Sequence, residues 1–242
     1  MIESRTISHG AQTLTVALRA DKYEVQLYDQ IFGQQPFSLS RLKRGPQLQR
    51  FYEQALAQGW KPLIVDLGAN IGLSAAYFSL MWPEATVVAV EPESSNFEML
   101  QANARQRDQI VALHRAASSR HERVEIANPE TDPVGFRTRA CECSGIDTVT
   151  MPELLERFSW RDGYLPFILK VDIEGYESTL FEGRCDWIDE FALMITELHD
   201  WALPTQGTSR NFLRAVADRD RDFVYIGENV FSIAHRLNVP VR

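Results

Sequence analysis

From Pro62 onward, short apolar runs alternate along the chain with segments whose apolar residues recur at helical spacing. The runs are too short for helices and are rich in β-branched and aromatic residues, which predicts strands. The predicted strands cover residues 63–67, 86–90, 110–113, 167–171 and 191–195. The predicted helices cover residues 71–81, 97–104, 152–158, 176–181 and 211–217. Strands that alternate with helices form a mainly parallel sheet with helices on both faces, so the sequence predicts an α/β fold.

Two further apolar runs, 223–226 and 230–233, are separated by Gly227-Glu228-Asn229. This spacing predicts an antiparallel hairpin at one edge of the sheet. The polar stretch 118–146 contains short alternating segments such as Val124-Glu125-Ile126, and it predicts an inserted hairpin.

The first 60 residues have a different pattern. Apolar and polar residues alternate over 14–18 and 23–27, which predicts a hairpin with its turn near Ala20-Asp21. After Pro46, apolar residues recur at helical spacing until Gly59, which is typical of a helix end. We therefore expect residues 1–60 to form an N-terminal cap that packs on a larger domain of residues 61–242.

The chain carries 33 acidic and 25 basic residues, a formal net charge of −8. Binding nucleic-acid phosphate needs clustered cations, so the acid excess argues against a nucleic-acid partner. No apolar run approaches the roughly 18 residues of a membrane span, and the N-terminus lacks the apolar stretch of a signal peptide. The cysteines Cys141, Cys143 and Cys185 include no C-x-x-C pair, so they predict neither a disulfide framework nor a zinc site. We therefore expect a cytoplasmic protein.

The loop 65–72, between the first strand and helix of the α/β part, carries Gly68 and Gly72, which leave room for a ligand near the backbone. It lacks the Gly-Lys-Ser/Thr ending of a Walker loop, and Asn70 and Leu73 stand where a G-x-G-x-x-G dinucleotide loop has glycines. The remaining pattern, D-x-G-x-x-x-G with Glu91 at the end of the next strand, is typical of S-adenosylmethionine (SAM) methyltransferases. The alternative is that these glycines only make a tight strand–helix turn.

The loop residues Gly68, Asn70 and Gly72 are candidates for holding SAM. Three polar residues near the loop are further candidates. Glu91, followed by Pro92, is expected to accept the ribose hydroxyls, because a carboxylate accepts two donors at once. Asp66 either anchors the loop or pairs with the methionyl amine. Asn96 either reaches the same region or caps the following helix.

The run Leu169-Lys170-Val171-Asp172-Ile173-Glu174-Gly175-Tyr176-Glu177 is a second landmark. Together with the loop 65–72 and Val90-Glu91-Pro92, it closely resembles the FkbM-type family of SAM-dependent methyltransferases over roughly residues 60–200. The resemblance implies a class I SAM-dependent methyltransferase (Rossmann-like) fold, with a mostly parallel seven-stranded sheet whose last strand is antiparallel. It also implies methyl transfer from SAM to a hydroxyl on a sugar or natural-product scaffold. The expected partners are this small-molecule or glycan acceptor and a second copy of the chain in a homodimer.

A hydroxyl is a poor nucleophile at neutral pH, so a general base or a metal must assist the transfer. Asp172 and Glu174 follow one predicted strand, and Glu197 and His199 follow the next. Neighbouring parallel strands bring such ends together. We expect Asp172 to face the methionyl end of SAM and the acceptor, and Glu174 or His199 to receive the proton.

Other roles for these residues stay open. The same four side chains could instead bind Mg²⁺ or Mn²⁺, although their spacing is not diagnostic of a metal site. Lys170 is a further catalytic candidate, or it forms a structural ion pair with Glu197. Glu177 is expected on the first turn of a helix, where an acid interacts favourably with the helix dipole. Four aromatic residues are candidates either for pocket walls or for the core: Phe37, Trp160, Tyr164 and Trp201.

Two other functions compete with methyl transfer. A non-catalytic SAM-binding or scaffold protein of a biosynthetic assembly would not need the acids Asp172 and Glu174. A nicotinamide-dependent dehydrogenase is disfavoured by Asn70 and Leu73, and the chain has no evident Tyr-x-x-x-Lys motif.

Overall fold

A seven-stranded sheet forms the centre of the computed structural model, which describes residues 1–10, 12–128, 135–142 and 145–242. The strands are β1 (Ile2–His9), β2 (Gln12–Arg19), β3 (Lys61–Leu67), β4 (Thr86–Val90), β5 (Ile110–Leu113), β6 (Ala116–Ala117), β7 (Arg123–Ile126), β8 (Thr138–Ala140), β9 (Ile146–Val149), β10 (Tyr164–Val171), β11 (Leu193–Glu197), β12 (Arg221–Ile226) and β13 (Asn229–Ala234). The α-helices are α1 (Lys22–Tyr28), α2 (Gly45–Ala57), α3 (Leu73–Met81), α4 (Ser94–Ala104), α5 (Met151–Arg157), α6 (Glu177–Leu180) and α7 (Arg210–Ala217).

The central sheet has the order β12-β13-β11-β10-β3-β4-β5. The strands from β11 to β5 are parallel to their neighbours, which confirms the predicted mainly parallel sheet. β13 is antiparallel to both β11 and β12, and β12 lies at the edge. All the parallel strands therefore present their carboxyl ends at one edge of the sheet, where α/β proteins bind ligands.

Both faces of the sheet are covered, and the side chains of β3 show why. Ile64 packs into the core on the side of α2 and α3, whereas Leu63 and Val65 pack into the core on the side of α5 and α7. A strand buried on both faces has no polar face, which is why residues 62–65 of β3, between the exposed Lys61 and Asp66, are all apolar.

The predicted hairpin between 14–18 and 23–27 is wrong. β2 pairs antiparallel with β1, and residues 23–27 belong to helix α1. The Asp21 side chain accepts hydrogen bonds from the backbone N–H groups of Tyr23 and Glu24, so the predicted turn is instead a helix N-cap. β1 escaped prediction because its side chains are mostly exposed and polar.

The N-terminal segment shares a core with the central sheet. Leu14, Val16 and Leu18 of β2 are buried in the same apolar cluster as Ile64 of β3. Asn103 of α4 adds a polar link, because its side chain bonds both the N–H and the carbonyl of Ala17. The predicted division of the chain at residue 60 stays a prediction.

The inserted segment forms a small second sheet of order β6-β9-β7-β8. β7 and β8 are antiparallel, and β7 also pairs antiparallel with β9. Residues 129–134 and 143–144, which include Cys143, fall within the predicted hairpin but outside the described residues. In the part of the chain that is described, no helix combines the length and the apolar character needed to cross a bilayer.

We predict that Asn103→Ala lowers the free energy of unfolding by about 1–3 kcal/mol, because buried backbone groups lose their partners. The Asn103 amide accepts from the N–H of Ala17 at 2.7 Å and donates to the carbonyls of Ile71 and Ala17 at 2.8 and 3.1 Å. The change is measured as the midpoint of urea unfolding. Gln49→Ala, on the exposed face of α2, serves as the control and leaves the midpoint in place. An unchanged midpoint for Asn103→Ala would contradict this role.

Candidate active site

A cavity of about 440 Å³ opens at the carboxyl ends of β3, β4, β10 and β11. Its size lies within the roughly 300–1,000 Å³ of ligand pockets. One end is formed by Gly68, Asn70 and Glu91, and the other by Glu174 and Glu197. The cavity therefore has two chemically different ends, one built from a glycine-containing loop and one rich in carboxylates.

The glycines of the loop are required by packing between strands and helices. Gly68 has a φ of +77°, and a Cβ there would lie 1.7 Å from the carbonyl oxygen of Asp172. Gly72 has a φ of +88°, and a Cβ there would lie 2.7 Å from Leu100 Cδ1. The space that we expected for a ligand is thus occupied by the protein at both positions, and Gly72 does not line the cavity. Gly68 and Asn70 do line it.

Glu91 ties the first two strand ends together. It is buried, its Oε2 accepts from the N–H of Asn70 at 2.8 Å, and its Oε1 accepts from the N–H of Glu93 at 2.8 Å. Burial raises the pKa of Glu91 to about 7, although the two N–H donors act against the increase. Because a carboxylate offers about four acceptor positions, the group retains capacity for further donors from the cavity that it lines together with Pro92.

Asn96 lines the cavity, and the alternative that it caps α4 is wrong. The cap is Glu93, whose side chain accepts from the N–H of Asn96 at 2.7 Å. The buried Asn96 side chain instead accepts from Arg19 at 2.5 Å. Arg19 is also paired with the buried Glu24 at 2.8 Å, so the N-terminal segment reaches the Glu91 end of the cavity.

Lys170 is the centre of a buried ion bridge. Its Nζ lies 3.2 Å from Asp66 Oδ1, 3.3 Å from Asp172 Oδ2 and 3.4 Å from the carbonyl oxygen of Gly68. The predicted pair with Glu197 is wrong, because the register places Lys170 opposite Asp66 on β3 and opposite Ile195, two residues before Glu197, on β11.

The charge of Lys170 is held in place by its partners. Burial alone would lower the pKa of Lys170, but the charges of Asp66 and Asp172 outweigh it and raise this pKa above its ordinary value. Asp66 is fully buried, accepts from Ser74 Oγ at 2.5 Å and does not line the cavity. Of the two roles considered for Asp66, the geometry therefore fits the anchor and not a partner for the methionyl amine.

The acidic end of the cavity converges on His199. The Nε2 atom of this buried ring lies 3.5 Å from Glu174 Oε2, 3.6 Å from Asp172 Oδ1 and 3.8 Å from Glu197 Oε1. Its Nδ1 lies 2.9 Å from Glu177 Oε1. The structure thus brings together the four residues that the sequence placed at adjacent strand ends.

These close contacts shift the pKa values of His199 and of the acids around it. Burial acts to lower the pKa of His199, but the hydrogen bond with Glu177 and the surrounding negative charges raise it to about 9. Burial, reinforced by the charge of Asp172, raises the pKa of Glu174 to about 7 and that of Glu197 to about 8.

Glu174 reaches His199 through an unusual backbone conformation. It follows the end of β10 with a φ of +55°, a region that non-glycine residues enter at a cost of about 1–3 kcal/mol. This left-handed residue directs the Glu174 side chain toward His199, where its Oε2 lies 3.5 Å from Nε2.

Glu177 is the site residue whose role sequence reasoning missed. Glu177 lies on the first turn of α6, as predicted, but it is also fully buried, and it accepts from the N–H of Ile173 at 3.2 Å as well as contacting His199. A signal was present in the sequence, because Leu180 and Phe181 follow it at helical spacing and are buried. Glu177 therefore lies on the inward face of α6.

The aromatic candidates divide into two groups. Phe37 and Trp201 line the cavity, and Trp201 is 71% exposed. Trp160 lies in a separate surface groove, and the Tyr164 ring packs against Phe158 at a centroid distance of 5.3 Å.

Parts of the cavity wall come from segments without a recognisable motif. Ile31 and Pro36 contribute from the N-terminal segment, Arg137 from the inserted sheet, and Glu228 from the β12–β13 turn. Gln30 Nε2 donates to Glu228 Oε2 at 3.5 Å, which links the first and the last of these segments.

The chain is similar in sequence or in fold to several known methyltransferases. The curated hexuronic acid methyltransferase AglP of Haloferax volcanii is 27% identical over 170 residues, 66% of this chain and 67% of that protein. A solved FkbM methyltransferase from Methylobacillus flagellatus KT is 18% identical, with a TM-score of 0.47 over 72% of this chain. The match spans 43% of the length of that structure. An O-methyltransferase from Bacillus cereus in complex with SAH is 12% identical, with a TM-score of 0.44 over 78% of this chain and 80% of that one.

The family comparison covers most of the chain. The model for the methyltransferase FkbM domain matches residues 66–225, which contain Glu91 and the whole cluster around His199. Because this match spans well over half of the 242 residues, the chain belongs to the FkbM family of methyltransferases.

Proposed function

We propose that this protein transfers the methyl group of SAM to a hydroxyl of a sugar or another small acceptor. The observation that carries the proposal is the pairing, in one cavity, of a carboxylate suited to ribose hydroxyls with a cluster of proton-accepting groups. Glu91 stands at the first end and the His199 cluster at the second, both beyond the carboxyl ends of parallel strands.

The first end of the cavity suits the nucleoside of SAM. The Glu91 carboxylate is positioned to accept two hydroxyl hydrogens, and apolar side chains beside it can cover an adenine ring: Leu73, Val90, Ala116 and Ala117. Asn96 lines the same end. When bound, SAM supplies an electrophilic methyl group, whose transfer breaks a carbon–sulfur bond, forms a carbon–oxygen bond and leaves S-adenosylhomocysteine.

At the second end, the protein prepares the acceptor. Lys170 fixes Asp172 between the two halves of the cavity, so Asp172 is available to the methionyl part of SAM and to the acceptor. Glu174 and Glu197 line the cavity beside His199, where they can receive the proton that the acceptor hydroxyl loses. Alignment of the acceptor oxygen with the methyl group supplies a further large part of the acceleration, about 7–11 kcal/mol for a well-positioned reaction.

The choice of acceptor is supported by the relative AglP, whose name gives a hexuronic acid as its substrate class. Carboxylates and the guanidinium of Arg137 line the acceptor end, and such groups bind the hydroxyl and carboxylate groups of a sugar acid. Formation of a homodimer and a cytoplasmic location stay predictions.

The direct test is methyl transfer from isotopically labelled SAM to glucuronic acid and its glycosides, followed by mass spectrometry. We expect the mass of one added methylene group on the acceptor. A scaffold protein would bind SAM and leave every acceptor unchanged, which would contradict the proposal.

We predict that SAM affinity falls as the pH decreases from about 8 to 6. The pKa of Glu91 is raised to about 7, so below this pH the carboxyl is protonated in the fold although an ordinary Glu would be ionised. The ionised form accepts hydroxyl donors more strongly, and calorimetric titration with SAM at several pH values measures the change.

Glu91→Gln is expected to weaken SAM binding by about 10–100-fold, the equivalent of one hydrogen bond to a charged group, and to flatten the pH dependence. Glu98→Gln is the matched control, because Glu98 is exposed on α4, the helix that follows Glu91. We expect it to keep the wild-type SAM affinity. Equal SAM affinity in wild type and Glu91→Gln at pH 8 would remove the basis for the cofactor end.

We predict that Asp172→Asn and Glu174→Gln each lower kcat by about 10²–10⁴-fold, because the acceptor loses its positioning or its proton acceptor. Single-turnover measurements with saturating SAM report this loss separately from cofactor binding. Glu156→Gln, exposed on α5, keeps full activity as the control. If both acidic variants retained wild-type kcat, the acidic end would have no part in the transfer.

A further inference from the structure

The cluster around His199 has the arrangement of a cation site. One oxygen each from Asp172 and Glu174 and one ring nitrogen of His199 all lie within 4.8 Å of one another. Glu197 Oε1 lies 3.8 Å from the same nitrogen. Two carboxylates and an imidazole, with a third carboxylate beside them, are a ligand set that divalent cations such as Mn²⁺ accept.

The position of His199 supports a cation site independently of the acidic residues. His199 is only 2% exposed, and its Nε2 points into the cluster of carboxylate oxygens. The hydrogen bond from Nδ1 to Glu177 places the ring proton on Nδ1, so the lone pair of a neutral ring is on Nε2. Because Nε2 faces three carboxylates, it carries either a second proton or a bound cation in the place of that proton.

Glu177 gives the ring the support that metal-binding histidines have. In such sites the second ring nitrogen donates to a carboxylate or carbonyl, which orients the ring and strengthens it as a ligand. The carboxylate of Glu177 is fully buried and is itself held by the N–H of Ile173. The orientation of His199 is thus imposed from behind by a group that does not line the cavity.

The cluster also faces the cavity, where an acceptor would bind. Asp172, Glu174 and His199 all line the cavity, and the side chains of Asp172 and Glu174 are 30% and 27% exposed. The positive charge of Lys170 compensates the negative charges of Asp172 and Asp66. The ion pairs described for Glu174 and Glu197 do not include Lys170. A cation bound here would therefore retain coordination positions that face the acceptor.

We propose that Asp172, Glu174 and His199, with Glu197 adjacent, bind one divalent cation of the Mg²⁺ or Mn²⁺ class. Its role rests on the proposed function: the cation would polarise the acceptor hydroxyl, and the proton would pass to Glu197. Binding of the cation itself requires neither SAM nor an acceptor, so it can be tested independently.

The test is titration of the purified protein with Mn²⁺, followed by electron paramagnetic resonance without SAM. We expect one bound Mn²⁺ per chain and a spin-echo modulation from an imidazole nitrogen. His199→Gln should abolish the modulation, and Glu177→Gln should weaken Mn²⁺ binding by about 10–100-fold. His235→Gln is the matched control, because His235 also lies beside a carboxylate, Asp222, at 3.2 Å but outside the cavity.

The outcomes separate this inference from the proposed function. Methyl transfer that persists in excess chelator, with no bound Mn²⁺, would overturn the cation site and leave the transferase intact. Bound Mn²⁺ without nitrogen modulation would also overturn the assigned ligands. Bound Mn²⁺ with the modulation would support the site even if every acceptor tested were unchanged. Because His199 is buried, its replacement could disturb the fold, so circular dichroism and SAM affinity check that each variant is folded. Glu174→Gln, whose side chain faces the cavity, is a second variant that we expect to weaken Mn²⁺ binding.

Discussion

A buried ammonium group holds the two halves of the site together. Lys170, on β10, lies between Asp66 of the neighbouring strand β3 and Asp172, which directly follows β10. It also contacts the carbonyl of Gly68. Removing one partner of a buried ion pair leaves an uncompensated charge, which is strongly destabilising. The close backbone approach of Gly68 to Asp172 reinforces the same junction. The loop 65–72 and the acids beside His199 are therefore positioned as one unit.

Stability and function have opposite requirements at this edge of the sheet. Burying carboxyl groups is unfavourable, and the raised pKa values of Glu91, Glu174 and Glu197 record that cost. Glu174 adds backbone strain, because it adopts a left-handed conformation without being glycine. The apolar strands beneath carry the compensating burial, with Leu67 and Val171 fully buried directly before the polar ends. Such an arrangement is expected where a site is built on a rigid sheet.

The central fold and the acid cluster were accessible from the sequence, because both depend on local patterns. Short β-branched runs predicted the parallel strands, and acids after neighbouring strands predicted a shared site at Asp172 and His199. The N-terminal hairpin was not accessible, since β1 buries little, and Asp21, read as a turn residue, is the cap of a helix. The partner of Lys170 depends on strand register, and the inward direction of Glu177 depends on the packing of a one-turn helix. Both are tertiary properties that residue spacing alone does not determine.

The N-terminal segment contributes walls to the cavity although it lies outside residues 66–225, the region that defines the family. Ile31 and Phe37 face the same space as Glu174, and Arg19 bonds to Asn96 at the Glu91 end. Sequence variation in this segment can therefore reshape the wall of the cavity while the strand-end residues stay constant. Members that share every motif residue can in this way diverge in the molecules they modify, and motif identity alone is a poor guide to substrate.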